Sequence, residues 1–273
     1  MNSGDLPAPV AVLDRLSIIL DAFKGSGRLT LSQVTRRTGL PRSSVHRMLE
    51  QLVSKRWLSR IGHEYELGLG IVELGSTAIE QNRLHTRAMP LLNEIHRVSG
   101  MVVHLGVLDQ IDVIYLGKVG EPSTSAAIPT RIGGRHPAHQ TALGRALLAF
   151  TKHRIPENSW PLPMQTTLRQ VRDSGIAHES GSMVAGLNCI AVPIGPIHRA
   201  IGALSICGPA ARLRLDHRSA VPLFIAAATI WESVGLGNGR SHDLRQGVRT
   251  LRSMPTAPSG WSPTRPIRAL AQR

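Results

Sequence analysis

The stretch that most constrains this 273-residue chain runs from Arg28 to Leu67. Thr30 stands three residues before Gln33, the spacing at which a threonine hydroxyl and a glutamine side chain close a capping box at a helix start. Leu31 and Val34 follow on the side that such a helix buries. Gly39 ends it, because glycine enters the left-handed conformation without steric cost, and Leu40-Pro41 restarts the chain with a proline suited to a first helical turn. Val45, Met48, Leu49, Leu52 and Val53 then recur at the spacing of one buried helix face. Beyond Lys55 the run from Trp57 to Ile61 predicts a strand, Gly62-His63-Glu64 a turn, and Tyr65-Glu66-Leu67 the returning strand. Helix, tight break, helix and hairpin together are the plan of a winged helix-turn-helix, which lays its second helix in a DNA major groove.

The charge in this window supports the same reading. Between residues 28 and 60 eight Lys and Arg stand against one acid, Glu50. Arg42, Ser43, Ser44, His46 and Arg47 crowd the N-terminal half of the second helix, where side chains meet base edges and phosphates. With Arg28, Thr30 and Arg60 they are the expected DNA contacts, and double-stranded operator DNA is the expected partner. A solvated charged hairpin in an unrelated fold would have to treat cap, break, periodicity, charge and wing as coincidence.

The whole chain carries 32 Lys and Arg against 18 Asp and Glu, a formal charge of +14 and a pI near 11.4. That charge suits a polyanion, nucleic acid or acidic membrane alike. The two cysteines, Cys189 and Cys207, form neither a C-x-x-C pair nor a disulfide framework, so a reducing cytoplasm is the expected setting. No secretory signal is apparent, and the longest apolar stretch, Ala220 to Trp231, is too short to span a bilayer, so no membrane partner is expected.

Ahead of the hairpin, Val12, Leu13, Leu16, Ile19, Leu20 and Phe23 mark an amphipathic helix that packs behind the DNA-reading pair. After the wing, Leu69, Ile71, Val72, Leu74, Ala78 and Ile79 give a second apolar stripe, read as a linker helix whose exposed surface makes a dimer contact. From Leu84 another helix runs to about Val98 with Ala88, Leu91, Leu92 and Ile95 inward, ended by Ser99-Gly100. Two β-rich pairs follow, Met101–Leu108 with Val113–Val119 and Leu187–Ile194 with Ala200–Cys207, separated by the strongly helical Thr141–Ala149. A final helix is expected from about Arg212 to Val234. The class is α+β, with the helices on one side of an antiparallel sheet. The expected division is a DNA-binding domain over 1–68, a linker helix over 69–83, an effector-binding domain over 84–237 and a basic tail over 238–273. The tail holds seven arginines and four prolines, with one short amphipathic helix around Leu244, Val248 and Leu251 and disorder after about Arg252.

Four ordered segments carry a resemblance: Gly39–Arg47, Thr141–Ala149, Gly186–Ala191 and Gly202–Ala210. Together they resemble the IclR family of bacterial transcription regulators over roughly Val10 to Leu236. The resemblance implies a winged helix-turn-helix, a linker helix and a GAF-like effector domain, in a homodimer or homotetramer that answers to a small carboxylate or aromatic acid. It further implies that Ile128, Ala142, Leu143, Glu179, Cys189, Ser205 and Cys207 surround the effector. The Ser205 hydroxyl and the N–H groups at the start of the 140s helix suit a carboxylate. The sequence departs from the family pattern at Gly181-Ser182, where an acidic pair is usual, and at Cys207, where a second serine is common, which makes the pocket less polar.

Each of these residues also has a plainer reading. The cysteines fill a core, Ser205 satisfies a neighbouring backbone group, and Glu179 beside His178 sits on a surface turn. His136-Pro137-Ala138-His139 spaces two imidazoles for a metal with Glu179 or Cys189, but the proline spoils helical spacing, so no metal and no cofactor is expected. Phosphate-loop, dinucleotide, nucleophile-elbow and H-E-x-x-H signatures are absent, and no catalytic residue is assigned. Two alternatives stay open: a Cys189 enzyme using His136 or His139 as base, fused to a DNA-binding module, and an architectural protein that coats DNA without sequence preference.

Overall fold

The computed structural model describes residues 12–152, 156–235 and 244–254. The chain divides into two compact units, Met1–Ile79 and Glu80–Arg273. The remainder of the expected basic tail, beyond Met254 and from residue 238 to 243, lies outside the described residues.

The first unit contains α1 (Val12–Asp21), β1 (Leu29–Thr30), α2 (Leu31–Thr38), α3 (Arg42–Ser54), β2 (Leu58–Ile61), β3 (Glu64–Leu67) and all but the last two residues of α4 (Leu69–Gln81). Local chemistry sets its joints. The Gln33 backbone N–H donates to Thr30 Oγ1 at 3.3 Å while the Thr30 N–H donates to Gln33 Oε1 at 2.7 Å, closing the capping box that starts α2. Gly39 takes φ 67° and its N–H donates to the Thr35 carbonyl, which stops α2 one residue before the Leu40-Pro41 restart. Ile19, Phe23, Val34, Val45, Met48, Leu49, Leu52, Leu58 and Tyr65 are buried together as one core.

Two details differ from expectation here. Val12 and Leu13 are 63% and 77% exposed, because α1 buries Ile19 and sends Phe23 inward just past its end, leaving its first turn outside. The wing gains a third strand: β1 pairs antiparallel with β3, giving the order β1-β3-β2. Two residues of strand sit below what an alternation pattern reveals. On α4, Leu69, Val72 and Leu74 are more than half exposed, so this apolar helix finds little cover within its own unit.

The second unit contains α5 (Arg83–Ser99), β4 (Val102–Asp109), β5 (Asp112–Val119), α6 (Pro122–Ala127), β6 (Arg135–Pro137), α7 (Ala142–Phe150), α8 (Leu162–Ser174), β7 (Ala177–Ser180), β8 (Leu187–Ile194), β9 (Gly202–Pro209), α9 (His217–Ser233) and α10 (Leu244–Arg252). Its strands form an antiparallel sheet in the order β6-β5-β4-β9-β8-β7. Alternation sorts the residues between two faces. Val103, Leu105, Ile190, Val192, Leu204 and Ile206 pack with α5 and α9, where Leu91, Leu92, Ile95, Leu223 and Ile230 are fully buried. Val113, Tyr115, Ala191 and Ala203 pack with α7 and α8 on the other face. The expectation of helices on one side is therefore corrected: both faces are covered. The amphipathicity of α8 is weak, since only Leu168 and Val171 on it are buried, and the sequence pattern did not reveal it.

A β-bulge in the β4–β5 pair positions the site. Gly106 faces Tyr115 and Leu105 faces Gly117, so Leu116 is an extra residue on β5. The slip of one residue puts both Tyr115 and Lys118 on the face that carries His104. At the bulge Gly106 has no room for a side chain, since a Cβ there would press on Leu143 of α7 and Val113.

Candidate functional site

On the first unit, α3 turns Val45, Met48, Leu49 and Leu52 inward and leaves Arg42, Ser43, His46 and Arg47 exposed, with Ser44 half-buried. The Arg42 guanidinium donates to Ser32 Oγ at 2.9 Å, which ties it to the start of α2. Among the described residues Arg47 makes no ion pair. The N-cap, Pro41, supplies no side-chain hydrogen bond, so the first-turn N–H groups of α3 stay open to an acceptor. The wing arginines are differently placed. Arg60 donates to Glu50 Oε1 at 3.2 Å and to the Gly62 carbonyl at 3.1 Å, with its guanidinium over the Tyr65 ring. The Tyr65 hydroxyl donates to the same Glu50 oxygen, and burial, with this hydrogen bond second, raises its pKa. Arg28 donates to Glu66 Oε2 at 2.9 Å, the bond that chiefly raises its pKa. The α3 residues thus share one outward face, Arg28 and Arg60 brace the hairpin, and the Thr30 hydroxyl is used in its cap. Glu50, the one acid of the basic window, and Glu66 of the returning strand are the partners that hold these arginines, a pairing that the sequence spacing does not reveal.

On the second unit, Ile128, Ala142, Leu143, Glu179, Cys189, Ser205 and Cys207 all line one cavity. The structure adds His104, Tyr115, Thr130, Thr141, Met183, Val184 and Leu187 to its wall. Strands β4, β5 and β9 supply the floor, the first turn of α7 one side, and the loop between β7 and β8 the other. Thr141 caps α7, its hydroxyl accepting the Gly144 N–H at 2.9 Å, so the positive end of that helix lies at the cavity. Glu179 is no surface turn: it sits on β7 opposite Cys189, 4% exposed, and its carboxylate accepts the N–H groups of Ser182 and Met183. It holds the β7–β8 loop against the site. Lys118 holds the opposite wall, its ammonium donating to the carbonyls of Ser125, Ile128 and Thr130 at 2.7–3.0 Å. Burial lowers the Lys118 pKa.

The floor is polar but uncharged. Burial, reinforced by Lys118 and His136, pushes His104 down to a pKa of about 3, so the imidazole is neutral. Its Nε2 lies 2.8 Å from Thr130 Oγ1 and its Nδ1 3.5 Å from Ser205 Oγ. Burial pushes the Tyr115 phenol up to about 12, with Glu179 adding to the rise against a hydrogen bond from Thr141. The Tyr115 ring meets His104 and His136 edge-on.

The cysteines are also corrected. Cys189 and Cys207 face each other across β8 and β9, Cα atoms 4.3 Å apart, with their sulfurs joined as a disulfide. The separation of 18 residues gives no such signal in the sequence; it takes the strand register to bring them together. A Cys189 nucleophile is left without its base, because His136 Nε2 lies 3.2 Å from the Pro129 carbonyl and His139 packs on Trp160. Among the described residues no three His, Cys, Asp or Glu side chains converge on one point. No described helix is long and apolar enough to cross a membrane.

Comparison with known proteins agrees with both halves of this architecture. Residues 12–62 match the IclR helix-turn-helix domain and residues 76–229 match the bacterial transcriptional regulator IclR C-terminal domain. The chain is 28% identical over 252 residues to the HTH-type transcriptional regulator KdgR of Dickeya chrysanthemi, covering 84% of this chain and 81% of that protein. It is 30% identical over 221 residues to the glycerol operon regulatory protein of Streptomyces coelicolor, covering 74% and 85%. Among solved structures, an IclR homolog from Microbacterium hydrocarbonoxydans complexed with 4-hydroxybenzoate superposes with a TM-score of 0.71 at 26% identity, over 83% of this chain and all of that one. With an outward basic helix in one unit, a lined cavity in the other and family matches that together span most of its length, the chain belongs to the IclR family of bacterial transcriptional regulators.

Proposed function

We propose that α3 reads operator DNA through Arg42, Ser43, Ser44, His46 and Arg47, and that a small aromatic carboxylate in the cavity controls this reading. Arg28, Thr30 and Arg60 position the wing around it. The observation that carries the effector half is the composition of one cavity: the first turn of α7 on one side, the Ser205 hydroxyl in the floor, and Ile128, Leu143, Met183 and Leu187 as an apolar wall. A carboxylate is stabilised by helix N-terminal N–H groups and a hydroxyl. A ring suits the apolar wall and the Tyr115 and His104 edges. The 4-hydroxybenzoate held by the Microbacterium homolog supports this choice.

Size supplies the coupling. The cavity measures about 20 Å³. That is room for about one water, whereas a cavity that binds benzene is on the order of 150 Å³. Ligand entry therefore requires a wall to move, and a ligand that binds the opened form better shifts the population toward it. The β7–β8 loop, tied down by Glu179, is the wall we assign to that movement. The exposed apolar surface of α4 supports a homodimer that presents two winged helices to two half-sites. The division into a DNA-binding part over 1–68, a linker over 69–83, an effector part over 84–237 and a basic tail over 238–273 is proposed on the same grounds.

Titration calorimetry of the full chain with 4-hydroxybenzoate tests the effector half. The expected result is one site per chain, weakened about tenfold in Ser205→Ala, the loss of one hydrogen bond to a charged group. Absence of binding heat at several temperatures would remove aromatic acids of this size from the reading.

A further inference from the structure

The chain has two cysteines, and the fold brings both to one point on the cavity wall. Strand register sets Cys189 of β8 directly opposite Cys207 of β9. Their Cα separation of 4.3 Å is that of a non-hydrogen-bonded antiparallel pair, whose side chains approach most closely. Neither sulfur has an alternative partner, since every thiol of the chain is in this pair. Cys207 is 6% exposed and Cys189 is half-buried, so Cys189 is the more accessible sulfur.

We infer that Cys189 and Cys207 form a peroxide-oxidisable dithiol whose disulfide hinders ligand entry to the cavity; the second half of this statement rests on the effector reading above. In the reduced chain the Cys189 thiolate attacks a hydroperoxide oxygen. The O–O bond breaks, a sulfenic acid forms, and the other peroxide oxygen leaves as water or alcohol. The Cys207 thiolate then attacks the sulfenic sulfur; the S–O bond breaks, the S–S bond forms and water leaves. Two thiols are oxidised by two electrons and one peroxide is reduced.

The disulfide acts on the cavity in two ways. It removes two S–H groups from the wall, and it ties the first residues of β8 to β9 immediately after the β7–β8 loop, at Leu187. Met183, Val184 and Leu187 of that segment line the cavity. A wall that has to open for a ring to enter is restrained at its base. Disulfides in reducing compartments are characteristically transient and sensing, which suits a cross-link placed in a ligand site instead of a remote core.

The test uses the full-length chain, reduced with a dithiol and then treated with equimolar hydrogen peroxide. The expected chemistry is two maleimide-reactive thiols before treatment, none after, and an intact mass lower by two hydrogen atoms with no covalent dimer. Retention of both thiols, or a covalent dimer alone, would overturn the modification site. The gate is read twice. Calorimetry with 4-hydroxybenzoate is expected to show binding to the reduced chain and about tenfold weaker binding to the oxidised one, restored by the dithiol. Amide exchange over residues 183–189 is expected to slow on oxidation, a readout that needs no ligand. Equal affinity together with equal exchange in the two states would overturn the gate. Failure of the reduced chain to bind the acid, with exchange still slowed, would overturn the aromatic-acid reading and leave the redox restraint standing. Cys207→Ala is expected to abolish the peroxide effect on exchange; its persistence in that variant would assign it to another group.

Discussion

Arg47 is the residue on which the DNA reading turns. It is exposed on α3, has no ion pair among the described residues and sits beside buried Met48, so its removal touches recognition without touching the core. Arg47→Ala is expected to cost about 1–3 kcal/mol on operator DNA, less on random duplex, and to leave the melting temperature unchanged. Equal losses on both duplexes, measured by anisotropy, would make it a phosphate contact. His104 carries the second residue-scale prediction. Its folded pKa of about 3 lies below the unfolded value of 6.5, so the unfolded state binds a proton first as pH falls. Stability is therefore present above pH 6.5 and is lost between 6.5 and 3, by up to about 1.4 kcal/mol per pH unit. His104→Gln should flatten that part of a denaturation-versus-pH curve, and an unchanged slope would place the proton elsewhere. These residues differ in how far the sequence exposes them. The Thr30 cap and the basic face of α3 rest on spacings of three and four residues, which are local and readable. His104, Tyr115 and Thr130 reach the cavity only through a bulge and a strand register that join positions far apart in the chain.

Elements show the same division between local and distant causes. The helix α7 was readable because Thr141 caps it and Ala142–Ala149 is strongly helical, and all but one of its first eight residues are buried. Its packing was not readable. Gly144 meets the turn at Ala138 so closely that an added Cβ would collide with backbone atoms there, which cannot swing aside as a side chain can. Gly144→Ala is expected to destabilise by about 1–3 kcal/mol through overpacking, seen as a lower melting temperature of the full chain. A neutral substitution would show that α7 is free to shift and would weaken its assignment as the fixed side of the cavity. The helix α8 has only two buried residues in thirteen, a poor stripe, so the sequence pattern leaves part of the cover on the second face of the sheet unseen.

At the scale of the whole molecule, two units of different chemistry share one chain. One is a basic three-helix core with a wing; the other is a curled sheet that encloses a polar-floored cavity. Charge and periodicity announced the first. The second is legible as strands and helices, and its site residues follow from resemblance to a family alone, because a cavity is a property of register and closure, not of any local pattern. In the proposed function a free-energy coupling joins the chemistry of the two units, so that a ligand preferring an opened cavity changes the affinity of paired winged helices for DNA. The direct measurement is an anisotropy titration of a labelled operator duplex, selected from randomised sequences by the full chain, with and without saturating 4-hydroxybenzoate. The account predicts two chains per duplex and a midpoint displaced at least about fivefold by the acid, the lower end of typical coupling. Superimposable curves, with calorimetry showing the acid bound, would contradict it.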